Sequence, residues 1–248
     1  MYLYKFLLIT CIVVISNVNN SLCAKLPDYI KACSLSDPKL NECAVQSARN
    51  AFAFIVKGDK TFKISSFAPL KLDQVVINVG ESLEMKLNNL TITGIDIGTV
   101  NKVEINPETK QWLIELSSKH LTMILTYDIK GRILVLPIVG QGPGNLTLEN
   151  PVFTYKFNYE LATKANNSYI NMIDPLLTYT TSKMNFHLEN LFNGDERLGG
   201  AMNTFLNENW YDVNGEIGPS IAETMNTIVT SVLESYFNRV PVKHIFTA

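Results

Sequence analysis

Hydrophobic and polar positions change period twice along this chain, dividing it into helix, sheet and helix again. Leu40, Ala44, Ser47, Ala48, Ala51, Phe52 and Ile55 recur at helical spacing; Asp37 is placed to cap, Pro38 sits at the first helical position, and Gly58 supplies a left-handed stop. The pattern predicts a helix from Asp37 to Val56, roughly twenty residues and about 30 Å long. Its middle is unusually small, at Ala44, Ser47, Ala48 and Ala51. Such residues either let a sheet approach closely or leave volume for an apolar guest, and both readings stand at this level.

From Phe62 to Tyr159 the period is two. Leu83, Met85 and Leu87 alternate with polar residues, then Leu90 and Ile92 take the opposite parity. A side-chain period of two changes face only through a bulge or bend, so one is expected at Asn88-Asn89, turning Asn89 outward. Further strand-like runs are Val100–Ile105, Trp112–Leu116, Leu121–Tyr127, Ile133–Val139, Leu146–Leu148 and Phe153–Tyr159. Asn106-Pro107, Lys130-Gly131 and Gly140–Gly144 punctuate them as turns. Short links favour antiparallel pairing, and one large bent sheet is the expected product. Leu198–Tyr211 and the stretch from Pro219 to Pro241, with Ile221, Met225, Ile228, Val229 and Val232 in phase, return to helix. Helix, sheet, then helices without a linker is the α+β order, as a single domain over 24–248.

Composition narrows the function class. With 46% apolar and 18% charged residues the chain can build a core, which excludes a disordered tail. A net charge of −2 and a pI near 6.0 leave no electrostatic footprint for nucleic acid. Residues 1–23 read as a secretory signal peptide: Lys5, an apolar run from Phe6 to Ile15 too short to span about 30 Å of hydrocarbon, then small residues around Leu22-Cys23-Ala24. Cys11 and Cys23 fall within it, leaving Cys33 and Cys43 as one local disulfide; a metal pair would need further Cys or His nearby. Asn89, Asn145 and Asn166 head glycosylation sequons suited to an extracellular surface.

No constellation for catalysis stands out. Nucleophile-elbow, zinc-protease, phosphate-loop and dinucleotide motifs are absent, and Gly140–Gly144 reads as a strand connection. His120, His187 and His244 share no ligand spacing, and Asn193–Glu196 lacks the alternating oxygens of a calcium loop. No catalytic residue, metal or cofactor is expected. Apolar surface is what the chain has in excess. Ala48 and Phe52 on the first helix, Leu87, Leu90, Ile92, Leu121, Met123, Leu125, Val135, Phe153 and Phe157 on strands, and Met225 on the last helix are candidates for a ligand-binding wall. Tyr127 continues the inward parity of Leu121, Met123 and Leu125, and its buried phenol needs a partner, either another core group or a ligand oxygen.

Several segments together carry a family resemblance. Leu26-Pro27-Asp28-Tyr29-Ile30-Lys31-Ala32-Cys33 leads to Asp37-Pro38-Lys39-Leu40-Asn41-Glu42-Cys43. Later come Tyr127-Asp128-Ile129-Lys130-Gly131-Arg132, Leu136-Pro137-Ile138-Val139-Gly140-Gln141-Gly142, Asn190-Leu191-Phe192-Asn193-Gly194-Asp195 and Phe205-Leu206-Asn207-Glu208-Asn209-Trp210. Over 24–246 the chain resembles the insect haemolymph juvenile hormone binding protein superfamily, in its takeout branch. The resemblance implies a tubular lipid-binding fold, a long N-terminal helix wrapped by a strongly curved antiparallel sheet around an apolar tunnel. It implies an extracellular carrier, expected to be a monomer, whose partner is a small hydrophobic ligand passed to or from a receptor or membrane; Tyr127, from its inward parity, is the candidate polar anchor in that tunnel. Hormone carriers of the superfamily have a second disulfide in their later half; this chain has no cysteine after Cys43, which sides it with takeout-like members and away from juvenile hormone itself. The competing class is a lipid-surface or receptor interaction module of the same fold.

Overall fold

A two-residue strand, β1 (Cys33–Ser34), precedes the first helix, α1 (Leu40–Ile55), in the computed structural model, which describes residues 24–247. The expected leader lies outside those residues. Helix α1 starts two residues later than Asp37 and Pro38 indicate and has 16 residues. Asp37 Oδ1 accepts the Lys39 N–H at 2.8 Å and its carbonyl accepts the Leu40 N–H at 2.9 Å, which holds that stretch as a turn. The helix stops near Gly58, as its pattern indicates, and Cys33 and Cys43 form a disulfide that ties β1 to α1.

The sheet region resolves into nine strands in two antiparallel sheets rather than one. These are β2 (Leu70–Val79), β3 (Leu83–Thr93), β4 (Thr99–Asn106), β5 (Gln111–Ser117), β6 (His120–Ile133), β7 (Leu136–Glu149), β8 (Val152–Lys164), β9 (Asn167–Thr180) and β10 (Lys183–Leu188). One sheet has the order β10-β7-β6-β3-β2 and the other β4-β5-β8-β9. The expected face change in β3 is present: the register against β6 shifts between Asn88 and Thr91, and Asn89 sits exposed at φ 52°. Strand β2 changes face at the same level, so that Leu72 stands opposite Leu90 and Val75 opposite Leu87.

Two expected turns are not turns. Lys130-Gly131 lies inside β6 and Gly140–Gly144 inside β7. The glycines of β7 serve another chain segment: a Cβ on Gly142 would stand 2.6 Å from the Glu189 carbonyl oxygen, because residues 189–191 cross that strand. Strands β9 and β10 carry no period-two signal, since Asp174-Pro175 interrupts the first and the second is short.

A 3₁₀ turn (Phe192–Gly194) leads to α2 (Glu196–Glu208), capped by Asp195, whose carboxylate accepts the Leu198 N–H at 2.9 Å. The long helix is α3 (Trp210–Phe237), with 28 residues. The break falls at Asn209 rather than at Pro219, which lies inside α3; burial of Ile217 and Ile221 on either side of the proline holds the helix together across it. A short α4 (Val242–Ile245) and β11 (Phe246–Thr247), parallel to β1, close the chain. The long helix of this fold is therefore C-terminal, not N-terminal.

Helices close the sheet edges with polar side chains. Asn207 Oδ1 accepts the Phe186 N–H at 2.9 Å while its Nδ2 donates to the Phe186 carbonyl at 2.8 Å. Asn203 repeats the pattern on Leu188, both distances being 2.8 Å, so two amides one turn apart on α2 imitate a neighbouring strand along β10. At the β4 edge, α1 presents Asn41 to the Ile105 N–H at 2.9 Å and Arg49 to the Val100 carbonyl at 2.8 Å. Replacing Asn207 by Leu orphans both backbone groups of Phe186. The expected outcome is a loss of about 2–3 kcal/mol, seen as a lower urea midpoint at unchanged slope.

Candidate functional site

Strand β6 sets the site. Leu121, Met123, Leu125, Tyr127 and Ile129 alternate inward and are all buried. Leu87, then Leu90 and Ile92 beyond the bulge, extend the same surface onto β3. Without the bulge, the second pair would face solvent. These strands, with α1 and α3, enclose a cavity of about 370 Å³. Helix α3 contributes Ile217, Ile221, Met225, Ile228 and Val232, one stripe at helical spacing. The wall runs from Leu121 to Ile133 on β6, about 40 Å of strand. The cavity is thus long relative to its volume.

The small residues of α1 divide between the two readings. Leu40, Ala44 and Ser47 are buried toward the chain before the helix and β4, where Ser47 Oγ donates to the Lys31 carbonyl at 2.8 Å and accepts the Lys31 N–H at 2.9 Å. Ala48, Ala51 and Phe52, one turn on, line the cavity. Close approach explains the first half of the stripe and open volume the second.

Eleven of the thirteen sequence candidates for the wall are brought together: Ala48, Phe52, Leu87, Leu90, Ile92, Leu121, Met123, Leu125, Tyr127, Phe153 and Met225. Two are not. Val135 is 72% exposed at the tip between β6 and β7, where the chain turns and the parity of the strand ends. Phe157 shares the inward face of Phe153 and Tyr155, but it packs against Trp112 at 5.6 Å and Phe237 at 5.9 Å in an aromatic cluster beyond the cavity. Period two assigns a face and not how far along it the space extends. The sequence reading omits the β2 wall, Leu70, Leu72, Val75 and Ile77, because the face change masks its period. Of α3 it places Met225 alone, although Ile221, Ile228 and Val232 carry the same helical signal.

The hydroxyl groups of the wall are already engaged. The Tyr127 hydroxyl, 1% exposed as a residue, donates to the Glu189 carbonyl at 2.5 Å, across the glycines of β7. Its ring belongs to the wall, and its proton goes to another group of the protein, one of the two partners that the sequence left open. Ser118 Oγ donates to the Gly94 carbonyl at 2.9 Å, Thr224 Oγ1 to the Ser220 carbonyl at 3.1 Å, and Tyr155 Oη pairs with Thr230 Oγ1 at 2.8 Å. Among the described residues no cluster of His, Cys, Asp or Glu is arranged to hold a metal. Asn89, Asn145 and Asn166 are all exposed, the last at the turn between β8 and β9.

Burial, followed by the nearby charge of Glu189, pushes the Tyr127 phenol up to about 12 from 10.0. Its folded form holds the proton more tightly than the unfolded chain, so its contribution to stability is complete below pH 10 and is lost as pH rises from there to about 12. Unfolding midpoints measured across that range are expected to fall, and to fall less steeply in Tyr127→Phe than in the unaltered protein.

Comparison with known proteins agrees with this architecture. Residues 7–247 match the family described as haemolymph juvenile hormone binding protein (JHBP). The circadian clock-controlled protein daywake of Drosophila yakuba is 23% identical over 237 residues, covering 90% of this chain and 88% of that protein. Its Drosophila melanogaster counterpart is 23% identical over 232 residues, covering 89% and 88%. The crystal structure of Epiphyas postvittana Takeout 1 superposes with a TM-score of 0.79 at 25% identity, over 88% of this chain and all of that one. The chain belongs to the haemolymph juvenile hormone binding protein family, in its takeout-like branch.

Proposed function

We propose that this protein is a secreted, monomeric carrier, 24–248 acting as one unit, that reversibly binds a small hydrophobic ligand in the cavity between its sheets and α3. The observation that carries the reading is a long apolar cavity whose wall hydroxyls are already hydrogen-bonded within the protein. Such a wall rewards hydrocarbon and gives little to a polar chain, because a polar group buried there finds few free partners. Membership of a family of binding proteins supports the same reading, and the leader-like residues 1–23 support an extracellular site of action. Juvenoids, isoprenoids, fatty acids and similar lipids are the fitting class, occupying the cavity as an internal tunnel. No catalytic step or cofactor is assigned.

Affinity comes from desolvation. A ligand of about 20 heavy atoms at roughly 0.3 kcal/mol each gains about 6 kcal/mol, which corresponds to tens of micromolar or tighter. Asn89 and Asn166 lie off the cavity wall, so glycans there would leave the cavity unobstructed, whereas Asn145 is exposed and also borders it.

Native mass spectrometry of the protein secreted from a eukaryotic host, followed by organic extraction, tests the reading. A stoichiometric apolar molecule is expected. Ala48→Phe, which fills the α1 side of the cavity, is expected to weaken or abolish uptake by tenfold or more while the unfolding transition stays cooperative. A protein that leaves the host empty and takes up no juvenoid, fatty acid or isoprenoid overturns the carrier in favour of a surface-interaction module.

A further inference from the structure

The turn between β6 and β7 is made of the wrong residues for a turn. Ile133 pairs with Leu136, so Leu134 and Val135 are the two residues of a tight hairpin loop. Such loops need positive φ and draw on Gly, Asn or Asp. The β2–β3 and β8–β9 turns follow that rule, with Gly80 and Asn166 at positive φ. Here Leu134 takes φ 52°, a conformation that costs a bulky side chain free energy. Its N–H donates to Glu216 Oε2 of α3 at 2.5 Å, and Arg132 Nη2 donates to the Val135 carbonyl at 3.4 Å. The turn is thus fastened to α3 while the Val135 side chain is left in solvent.

Apolar character continues down the outer face of the hairpin. Pro137 and Val139, the next outward residues of β7, are exposed as well. Their cross-strand partners are Arg132 and Lys130, both exposed on the same face. Farther along β7 the outward positions include Gln141, Asn145, Thr147 and Glu149, so the apolar run belongs to the tip. The surrounding carboxylates do not cancel the two cations. Glu84 on β3 stands opposite Lys130 but forms its salt bridge with Lys86 at 2.7 Å, and Glu216 is taken by the Leu134 N–H. Asp128 lies two residues farther from the tip, and Glu81 sits in the neighbouring β2–β3 turn. Among the described residues neither Lys130 nor Arg132 is in a salt bridge.

We propose that the β6–β7 tip docks on a phospholipid surface, with Val135 and the adjoining edge of Leu134 entering the boundary between headgroups and acyl chains. Lys130 and Arg132 then meet the phosphates. The order of groups fits that partner. Lys130 lies two residues behind Arg132, about 7 Å of strand, so an apolar apex is backed by cations within the roughly 5–10 Å depth of interfacial insertion. A lipid surface presents hydrocarbon and phosphate in the matching order. The docking goes beyond the carrier reading and does not depend on it. Ile133 and Ile138, inward neighbours of the tip, line the cavity, so docking sets that stretch of the wall beside the bilayer.

Co-sedimentation with vesicles made of equal parts phosphatidylcholine and phosphatidylglycerol, against vesicles of phosphatidylcholine alone, tests the proposal. Binding is expected to the mixed vesicles and more weakly to the neutral ones. Lys130→Gln and Arg132→Gln are each expected to weaken binding to mixed vesicles about fivefold. Val135→Asn is expected to weaken it about tenfold. Because Asn suits a turn and Val135 lies outside the cavity wall, that variant is expected to keep the unfolding midpoint and the uptake of apolar ligand. Absence of vesicle binding, or binding that Val135→Asn leaves unchanged, would overturn the proposal. Equal binding to neutral and mixed vesicles would remove the role of the cations and overturn it too. A concentration-dependent dimer that Val135→Asn dissolves would assign the patch to a second copy of the chain instead. Vesicle binding by a protein that takes up no apolar molecule leaves the docking standing while the carrier reading falls, and the reverse result sinks the docking alone.

Discussion

Hydrogen bonding along the free edges of the two sheets is the constraint on which the rest of this structure depends. A sheet edge carries a row of unpaired N–H and C=O groups that must be covered or left to recruit another chain. Here the inner faces of both sheets are given to a cavity and its surrounding hydrocarbon, so the helices reach the edges mainly with polar side chains. Asn203 and Asn207 serve β10, Asn41 and Arg49 serve β4, and Asn226 serves β9. Each of these bonds fixes a helix in rotation about its own axis, which decides the stripe that it turns inward.

For α3 the consequence is greatest. With its amides directed at β9, its Ile217, Ile221, Met225, Ile228 and Val232 stripe is turned into the cavity, and its small residues Gly218 and Ala222 are left on the side toward the β9 edge. For α1 the same logic splits one stripe between close packing and cavity wall. The aromatic cluster of Trp112, Phe157, Phe237 and Phe246 packs solidly beyond the cavity and limits how far the empty space runs along β8. Solid core and open space are thus consecutive stretches of the same strands.

Much of the inward surface was legible from periodicity. The alternation through Leu121, Met123, Leu125 and Tyr127 gave the face of β6, and the parity change at Asn88-Asn89 gave a bulge that the structure contains. What misled was punctuation. Gly140, Gly142 and Gly144 signal a turn when only neighbours in sequence are considered, yet they answer to residues 189–191 lying across the strand. Pro219 signals a helix start, yet the packing of Ile217 and Ile221 outweighs one lost hydrogen bond. The commitment of Tyr127 to Glu189 could not be foreseen, because its partner is a backbone carbonyl 62 residues away.

The sequence by itself determined which residues face inward, where the chain changes from helix to strand and back, and the family to which it belongs, because these depend on local period and on residue identity. Tertiary structure alone decided that the strands form two sheets, that α3 rather than α1 is the long helix of the cavity wall, and that Val135 and Phe157 lie outside that wall. The reason is physical. Periodicity fixes a side chain's direction relative to its own backbone, whereas a cavity is the space left between elements whose separation is set by contacts distant in sequence.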